Sequence, residues 1–150
     1  MTPEEFVAKL NGEWRRGTML EHHGTRFVSV GAGRAVAELD FAPALTQLTG
    51  LFHAGAIIAL ADETATAAAM WETNPSGELR PELFPLTVQL SVNLIRNANR
   101  GTLTAEARIV HRGRTTLVLD VDVLDDRRRL IAKLVATQLA PAAPPAQAEK

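Results

Sequence analysis

At 150 residues with 46% hydrophobic content, the chain has the length of one domain and enough apolar material to build a core without covalent staples. Sixteen basic against seventeen acidic residues give a net charge of −1 with no long basic run, which argues against general nucleic-acid or membrane-surface binding. The lack of cysteine excludes disulfides, zinc ribbons and thiol catalysis and fits a cytoplasmic location. Met1 is followed by an acidic helix start, not a basic leader, and no apolar run approaches the ~20 residues of a membrane span.

Thr2-Pro3-Glu4-Glu5 reads as a capped helix start, and Phe6, Leu10 and Trp14 recur every four residues, predicting an amphipathic helix over 3–15. Between Thr25 and Phe41, Ala35, Ala37, Leu39 and Phe41 alternate with polar or smaller partners, and Gly31-Ala32-Gly33 marks the turn of a hairpin. His22-His23 is read as surface, since no carboxylate partner stands near it in sequence. An alanine-rich helix is predicted over 54–72, its small side chains allowing a sheet to lie close to its axis.

After a polar loop, Thr73 to Glu82, four strand-like runs follow without another helix. Leu86, Val88, Leu90, Val92 and Leu94 form a period-two row predicted to be buried, and Leu103 to Ile109 repeats the pattern before a turn at His111 to Arg114. Leu117 to Val123 and Leu130 to Leu139 are the last two runs. Residues 1–139 are thus predicted to form a single domain, and 140–150, which lack a periodic apolar face, a disordered tail. The pattern of two strands, a long central helix and four antiparallel strands predicts an α+β domain in which a curved sheet wraps one helix.

The chemistry concentrates between Gln47 and Thr66, in QLTGLFHAGAIIALADETAT. Gly50 and Gly55 let the backbone turn and approach a ligand, and the helix N-terminus beyond His53 offers unpaired N–H groups suited to an anion or oxyanion. Nine residues on (62 − 53), Asp62 interrupts an apolar run, where a carboxylate is rarely buried without a task. Adjacent Glu63 points about 100° away, so Asp62 is placed inward on the row Ile58, Asp62, Thr66, and Glu63 is placed on the other side. No Gly-x-Ser-x-Gly elbow is present, and no metal site is expected.

This string, followed by VQLSVNLIRNANRGTLTAEARIVHRGR, is similar to hotdog-fold acyl-CoA thioesterases of the phenylacetic-acid-degradation (PaaI-like) and 4-hydroxybenzoyl-CoA types, over roughly residues 25 to 139. The family pattern is Gln, Gly, His-Gly-Gly at the helix start, an acid nine positions after the His, and Ser or Thr four further on. Gln47, Gly50, His53-Ala54-Gly55, Asp62 and Thr66 stand in those places. The resemblance implies hydrolysis of an acyl-CoA to CoA and a carboxylic acid. The Ala54 amide would polarise the carbonyl with Gln47 nearby, and Asp62 would act as nucleophile or general base. Thr66 would hold the water, and His53 would fix the loop. Ala54 replaces the first Gly of His-Gly-Gly, adding a Cβ to the approach while keeping the donor. Asp at position 62 favours the PaaI-like branch.

Arg96 and Asn97, with His111, Arg112, Gly113, Arg114 and Thr115, match segments that hold the nucleotide of CoA in that family, and Gly55 belongs to the same surface. CoA enters as part of the substrate, so no separate cofactor is expected. Phe52, Met70, Trp71 and Phe84 are expected around the acyl group. On one helix, Ala54 and Asp62 lie eight residues apart, about 12 Å, too far for both to act on one carbonyl. A C2 homodimer with antiparallel helices would bring them together, and the resemblance also allows a dimer of dimers. A hydratase is disfavoured by the lack of its Asp and His spacing. A non-catalytic acyl-CoA-binding module is the alternative reading.

Overall fold

Thr2 and Glu5 exchange two hydrogen bonds, Glu5 N–H to Thr2 Oγ1 at 3.2 Å and Thr2 N–H to Glu5 Oε2 at 2.8 Å, and so start helix α1 (Pro3–Asn11) as predicted. The computed structural model describes residues 1–74 and 76–141; positions 142–150 of the predicted tail lie outside these. α1 stops short of the predicted residue 15 because the chain folds back at Gly12, where a Cβ would meet Ala8 O at 2.8 Å. Trp14, beyond the end, still packs edge-on against Phe6 with ring centroids 5.3 Å apart. A second helix, α2 (Met19–His23), was not anticipated, since five residues are too few to show a helical period.

The hairpin is as expected: β1 (Arg26–Gly31) pairs antiparallel with β2 (Arg34–Asp40), with φ 49° at Ala32 and 70° at Gly33 in the turn. Helix α3 (Ala54–Thr73) follows, then β3 (Leu86–Leu94), β4 (Thr102–Arg112), β5 (Thr116–Leu124) and β6 (Leu130–Leu139). All pairings are antiparallel, in the order β1-β2-β4-β5-β6-β3, and α3 packs against every strand. This is the hotdog architecture. Ala61, Ala65, Ala68 and Ala69 on the helix meet a sheet lined by Ala37, Ala105, Leu119, Val121 and Ala136, all buried. No helix of the described residues is long and apolar enough to cross a membrane.

One strand departs from its predicted face. The register of β3 against β6 runs Leu90↔Ala136 and Gln89↔Thr137, then jumps to Thr87↔Gln138, so Val88 is the extra residue of a bulge. Past the bulge the alternation is inverted, and Thr87 takes the inward place that period two assigned to Val88. Leu86, Val88 and Leu94 remain 56%, 56% and 47% exposed, because β3 is an edge strand paired on one side only.

Ala65 is fully buried where α3 meets the sheet, so Ala65→Leu should force the two layers apart. Denaturant unfolding is expected to show a loss of about 1–3 kcal/mol with the denaturant slope unchanged.

Candidate active site

His53 is the N-cap of α3, and its Nδ1 accepts the Gly55 N–H at 2.8 Å. Gly55 is required here for space: a Cβ would lie 2.9 Å from that ring nitrogen. The Ala56 N–H is taken by His53 O at 2.9 Å, and the Ala54 N–H has no acceptor among the described residues. The preceding loop is pinned at its base by His53 N–H to Leu45 O at 2.8 Å, Phe52 N–H to Ala98 O at 3.0 Å and Asn97 Nδ2 to Phe52 O at 2.9 Å. Gln47 sits on the exposed part of this loop, where its amide donates to Thr49 Oγ1 at 2.8 Å, and Gly50 turns the chain with φ 81°.

Two turns along α3, Asp62 and Thr66 line a cavity of about 420 Å³ between α3, the N-terminal helices and the start of β3. Its walls are mainly apolar, from Leu10, Trp14, Phe27, Met70, Phe84 and Leu86 among others. Thr87, brought inward by the bulge, donates to Asp62 Oδ1 at 2.7 Å. Behind it lies Gln138, fully buried, whose Nε2 donates to Thr66 Oγ1 at 2.9 Å and to Thr87 Oγ1 at 3.0 Å. The order of donors is fixed by this chain: Gln138 supplies both hydrogens, Thr87 passes its own to Asp62, and Thr66 keeps a free hydroxyl proton at the cavity wall. Burial pushes the Asp62 carboxyl above its ordinary value of 3.8; the Thr87 hydrogen bond opposes this, and the neighbouring Glu63 charge adds to it.

Several expectations are corrected. Glu63 does not face away: it lines the same cavity as Asp62, because the pocket is wide enough to span the 100° between adjacent helical positions. His23 is not a surface residue but is buried against β1 and α3, with Nδ1 2.8 Å from Thr25 Oγ1 and 3.3 Å from Glu63 Oε2. The carboxylate that the sequence did not place beside it comes from forty positions away (63 − 23). Phe84 and Met70 line the cavity. Phe52 instead meets Phe41 edge to face in the core, and Trp71 meets Phe6 in the same way.

The basic segments lie at opposite ends of the sheet. Arg96, whose N–H and guanidinium reach Ile131 O and Leu130 O, adjoins the N-terminal end of α3 together with Asn97. His111 and Arg112 end β4 and Gly113, Arg114 and Thr115 form the β4–β5 turn, where Thr115 O accepts from Ala140 N–H and Arg112 clamps Glu72 at 3.0 Å. The eight positions of β6 between Ile131 and Leu139 separate them by about 26 Å. Within one chain, therefore, Gln47, His53, Ala54, Gly55, Arg96 and Asn97 gather at one end, and Asp62, Thr66 and the β4–β5 turn gather toward the other. Sequence reasoning missed Gln138, Thr87, Thr25 and His23. Gln138 was detectable as the polar member of the inward row Ala132, Leu134, Ala136, Gln138, whereas Thr87 was hidden by the bulge.

The hotdog sheet around one helix thus carries a carboxylate held in an apolar pocket beside a hydroxyl. The thioesterase superfamily profile matches residues 49–132, and the chain belongs to that family. It is 36% identical over 120 residues to ComA2 of Bacillus subtilis (strain 168), provisionally designated an esterase, covering 76% of this chain and 86% of the relative. It is 26% identical over 108 residues to the 1,4-dihydroxy-2-naphthoyl-CoA hydrolase of Listeria monocytogenes serotype 1/2a (strain 10403S), covering 72% and 83%. Among solved structures it is similar to a mutant of thioesterase PA1618 from Pseudomonas aeruginosa, with TM-score 0.81, 23% identity and coverage of 91% and 94%. It is also similar to the PaaI protein of the Escherichia coli phenylacetic acid degradation operon, with TM-score 0.78, 18% identity and coverage of 93% and 96%. The chain is a thioesterase with the PaaI-like hotdog fold.

Because burial raises the Asp62 pKa, the carboxylate favours folding in its protonated form, a contribution present below 3.8 and lost as pH rises through the higher folded value. Asp62→Asn should therefore melt at a higher temperature than the parent at pH 7, with the gap closing as pH falls to 3.8. Thr87→Val, which removes the opposing hydrogen bond, should raise the Asp62 pKa further, and Glu63→Gln should lower it. Carboxyl titration by NMR reads both, and shifts of opposite sign would contradict these causes.

Proposed function

We propose that this protein hydrolyses an acyl-CoA thioester to free CoA and a carboxylic acid, with Asp62 as general base. The observation that carries this reading is the Asp62 carboxylate itself: desolvated in an apolar cavity, aimed by Thr87, and one turn from a Thr66 hydroxyl with a proton to give. A raised pKa makes Asp62 a better proton acceptor at neutral pH, and the Thr66 O–H can donate to the attacking water. Water adds to the thioester carbonyl as Asp62 takes its proton. The tetrahedral intermediate then collapses, the C–S bond breaks, and the proton follows to the CoA sulfur.

The oxyanion formed on the way needs a donor, and the Ala54 amide, with the positive end of α3 behind it, has no acceptor among the described residues. On its own helix it is about 12 Å from Asp62. A second copy with α3 antiparallel would set Ala54 and Gln47 of one subunit against Asp62 and Thr66 of the other, and would unite Arg96 and Asn97 with the β4–β5 turn for the CoA nucleotide. Two features support such a homodimer: the unpaired edge of β3, with Leu86, Val88 and Leu94 exposed, and the protruding loop that carries Gln47 and a fully exposed Leu48. No separate cofactor has a part in this scheme.

Thiol release from phenylacetyl, benzoyl, hexanoyl and lauroyl CoA tests the activity. Asp62→Asn should lower turnover at least 10²-fold, the loss expected of a positioned base, while binding of a non-hydrolysable acyl-CoA analogue persists. In oxygen-18 water under single turnover, label should appear in the product acid and not in Asp62; label in the Asp62 carboxyl would make it a nucleophile instead. Mixing Asp62→Asn chains with chains altered in the Gln47 to Gly55 loop should restore activity through heterodimers, and sedimentation of a fully active monomer would rule out the shared site.

A further inference from the structure

Thr66 needs a proton to give, and a threonine inside a helix ordinarily has none free. On α3, Thr64 donates to Leu60 O at 2.6 Å and Thr73 donates to Ala69 O at 2.7 Å, the bond that a helical threonine makes to the carbonyl four positions back. The matching acceptor for Thr66 is Asp62 O. That bond is not made: among the described residues, the hydrogen-bond partner of Thr66 Oγ1 is Gln138 Nε2, at 2.9 Å.

Gln138 is fully buried on β6, and the same Nε2 also donates to Thr87 Oγ1 at 3.0 Å. A hydroxyl oxygen that accepts from one side directs its own proton elsewhere. Thr87 directs it to Asp62 Oδ1 at 2.7 Å, and Thr66 keeps it for the cavity. A reversed amide would undo both. Its oxygen would draw the two hydroxyl protons toward β6 and leave the Thr87 contact to an ionised Asp62 without a hydrogen. The orientation that serves the site leaves Gln138 Oε1 buried and unpartnered, a cost to folding that a methionine of similar length would not carry.

We propose that Gln138 is a positioning residue for the hydrolysis: by donating to both hydroxyls it holds Thr66 off the Asp62 carbonyl and turns the Thr87 proton onto the Asp62 carboxylate. Base and proton donor are thereby presented together. This deepens the hydrolysis reading and rests on it. Buried behind both threonines, Gln138 acts only through them. Without its amide, Thr66 falls back on Asp62 O as Thr64 does on Leu60 O, and the Thr87 hydroxyl is free to rotate away from Asp62.

Gln138→Met removes both donors at nearly constant volume. On an acyl-CoA that the unaltered protein turns over, kcat should fall about ten-fold or more, the scale of a misplaced reacting group. KM and the affinity for a non-hydrolysable acyl-CoA analogue should stay within about three-fold, because the lost contact matters only in the transition state. Counting sites by titration with that analogue refers kcat to folded protein. The melting temperature should be equal or higher, since the unpartnered oxygen is gone. Gln138→Glu, which keeps size and polarity but sets acceptor oxygens between the two hydroxyls, should not restore turnover. The route through the threonines is read by a double-mutant cycle: in a Thr66→Val, Thr87→Val background, Gln138→Met should lower kcat by less than about two-fold. The Asp62 carboxyl gives a readout without turnover, and in Gln138→Met it should titrate higher than in the parent, in the same direction as in Thr87→Val. Parent kcat per folded site in Gln138→Met, full turnover in Gln138→Glu, an undiminished loss in the double background or an unmoved Asp62 titration would each overturn the proposal. Absence of thiol release by the unaltered protein, with the Asp62 titration moved as expected, would sink the hydrolysis reading alone.

Discussion

How closely α3 can lie against the sheet governs the rest of this molecule. Ala61, Ala65, Ala68 and Ala69 remove the side-chain spacer that usually separates a helix from a sheet, and α3 in turn touches all six strands. Most of its surface is consumed by that contact, and the stripe left over carries Asp62, Glu63 and Thr66. Those polar groups stand in the shadow of the layer beneath them, with α1, α2 and the start of β3 above. Burial of the carboxylate is thus a by-product of core packing, and the same packing that stabilises the fold makes Asp62 basic.

The polar groups around Asp62 form a supported chain and not a loose cluster. Gln138 on β6 anchors Thr66 on α3 and Thr87 on β3 with the two hydrogens of one amide, and Thr87 orients Asp62. Three elements are joined by one side chain that never reaches solvent. The helix terminus has its own support, in which Asn97 holds the Phe52 carbonyl and His53 caps the first turn. Each half of the chemistry is therefore rigid on its own, and the separation between them is a property of the helix, not of mobile loops.

The element order and the central helix were legible because they rest on periodicity and small-residue content, both readable along the chain. So was Asp62, as a charge interrupting Ile57, Ile58 and Leu60. What escaped was whatever depended on distant segments meeting. His23 and Glu63 are forty positions apart, and a His-His pair before a Gly carries no trace of that pairing. Glu63 was assigned to the far side by a correct angle and a wrong assumption that the crevice was narrow. Val88 was assigned inward by strict alternation, which a single bulge inverts. Trp14 showed the reverse case: its spacing suggested helix, yet its role is to cover the pocket from a turn.

The bulge at Val88 also bears on how this chain tolerates changes of length. Removing that one residue would leave Gln89↔Thr137 followed directly by Thr87↔Gln138, so β3 would gain an uninterrupted ladder against β6 while Thr87 kept its inward face. An insertion in the nearby loop before Leu86 is absorbed as well, since loops take up added residues. In an alignment, then, a gap at Val88 describes a protein with a more regular sheet and the same aim at the carboxylate.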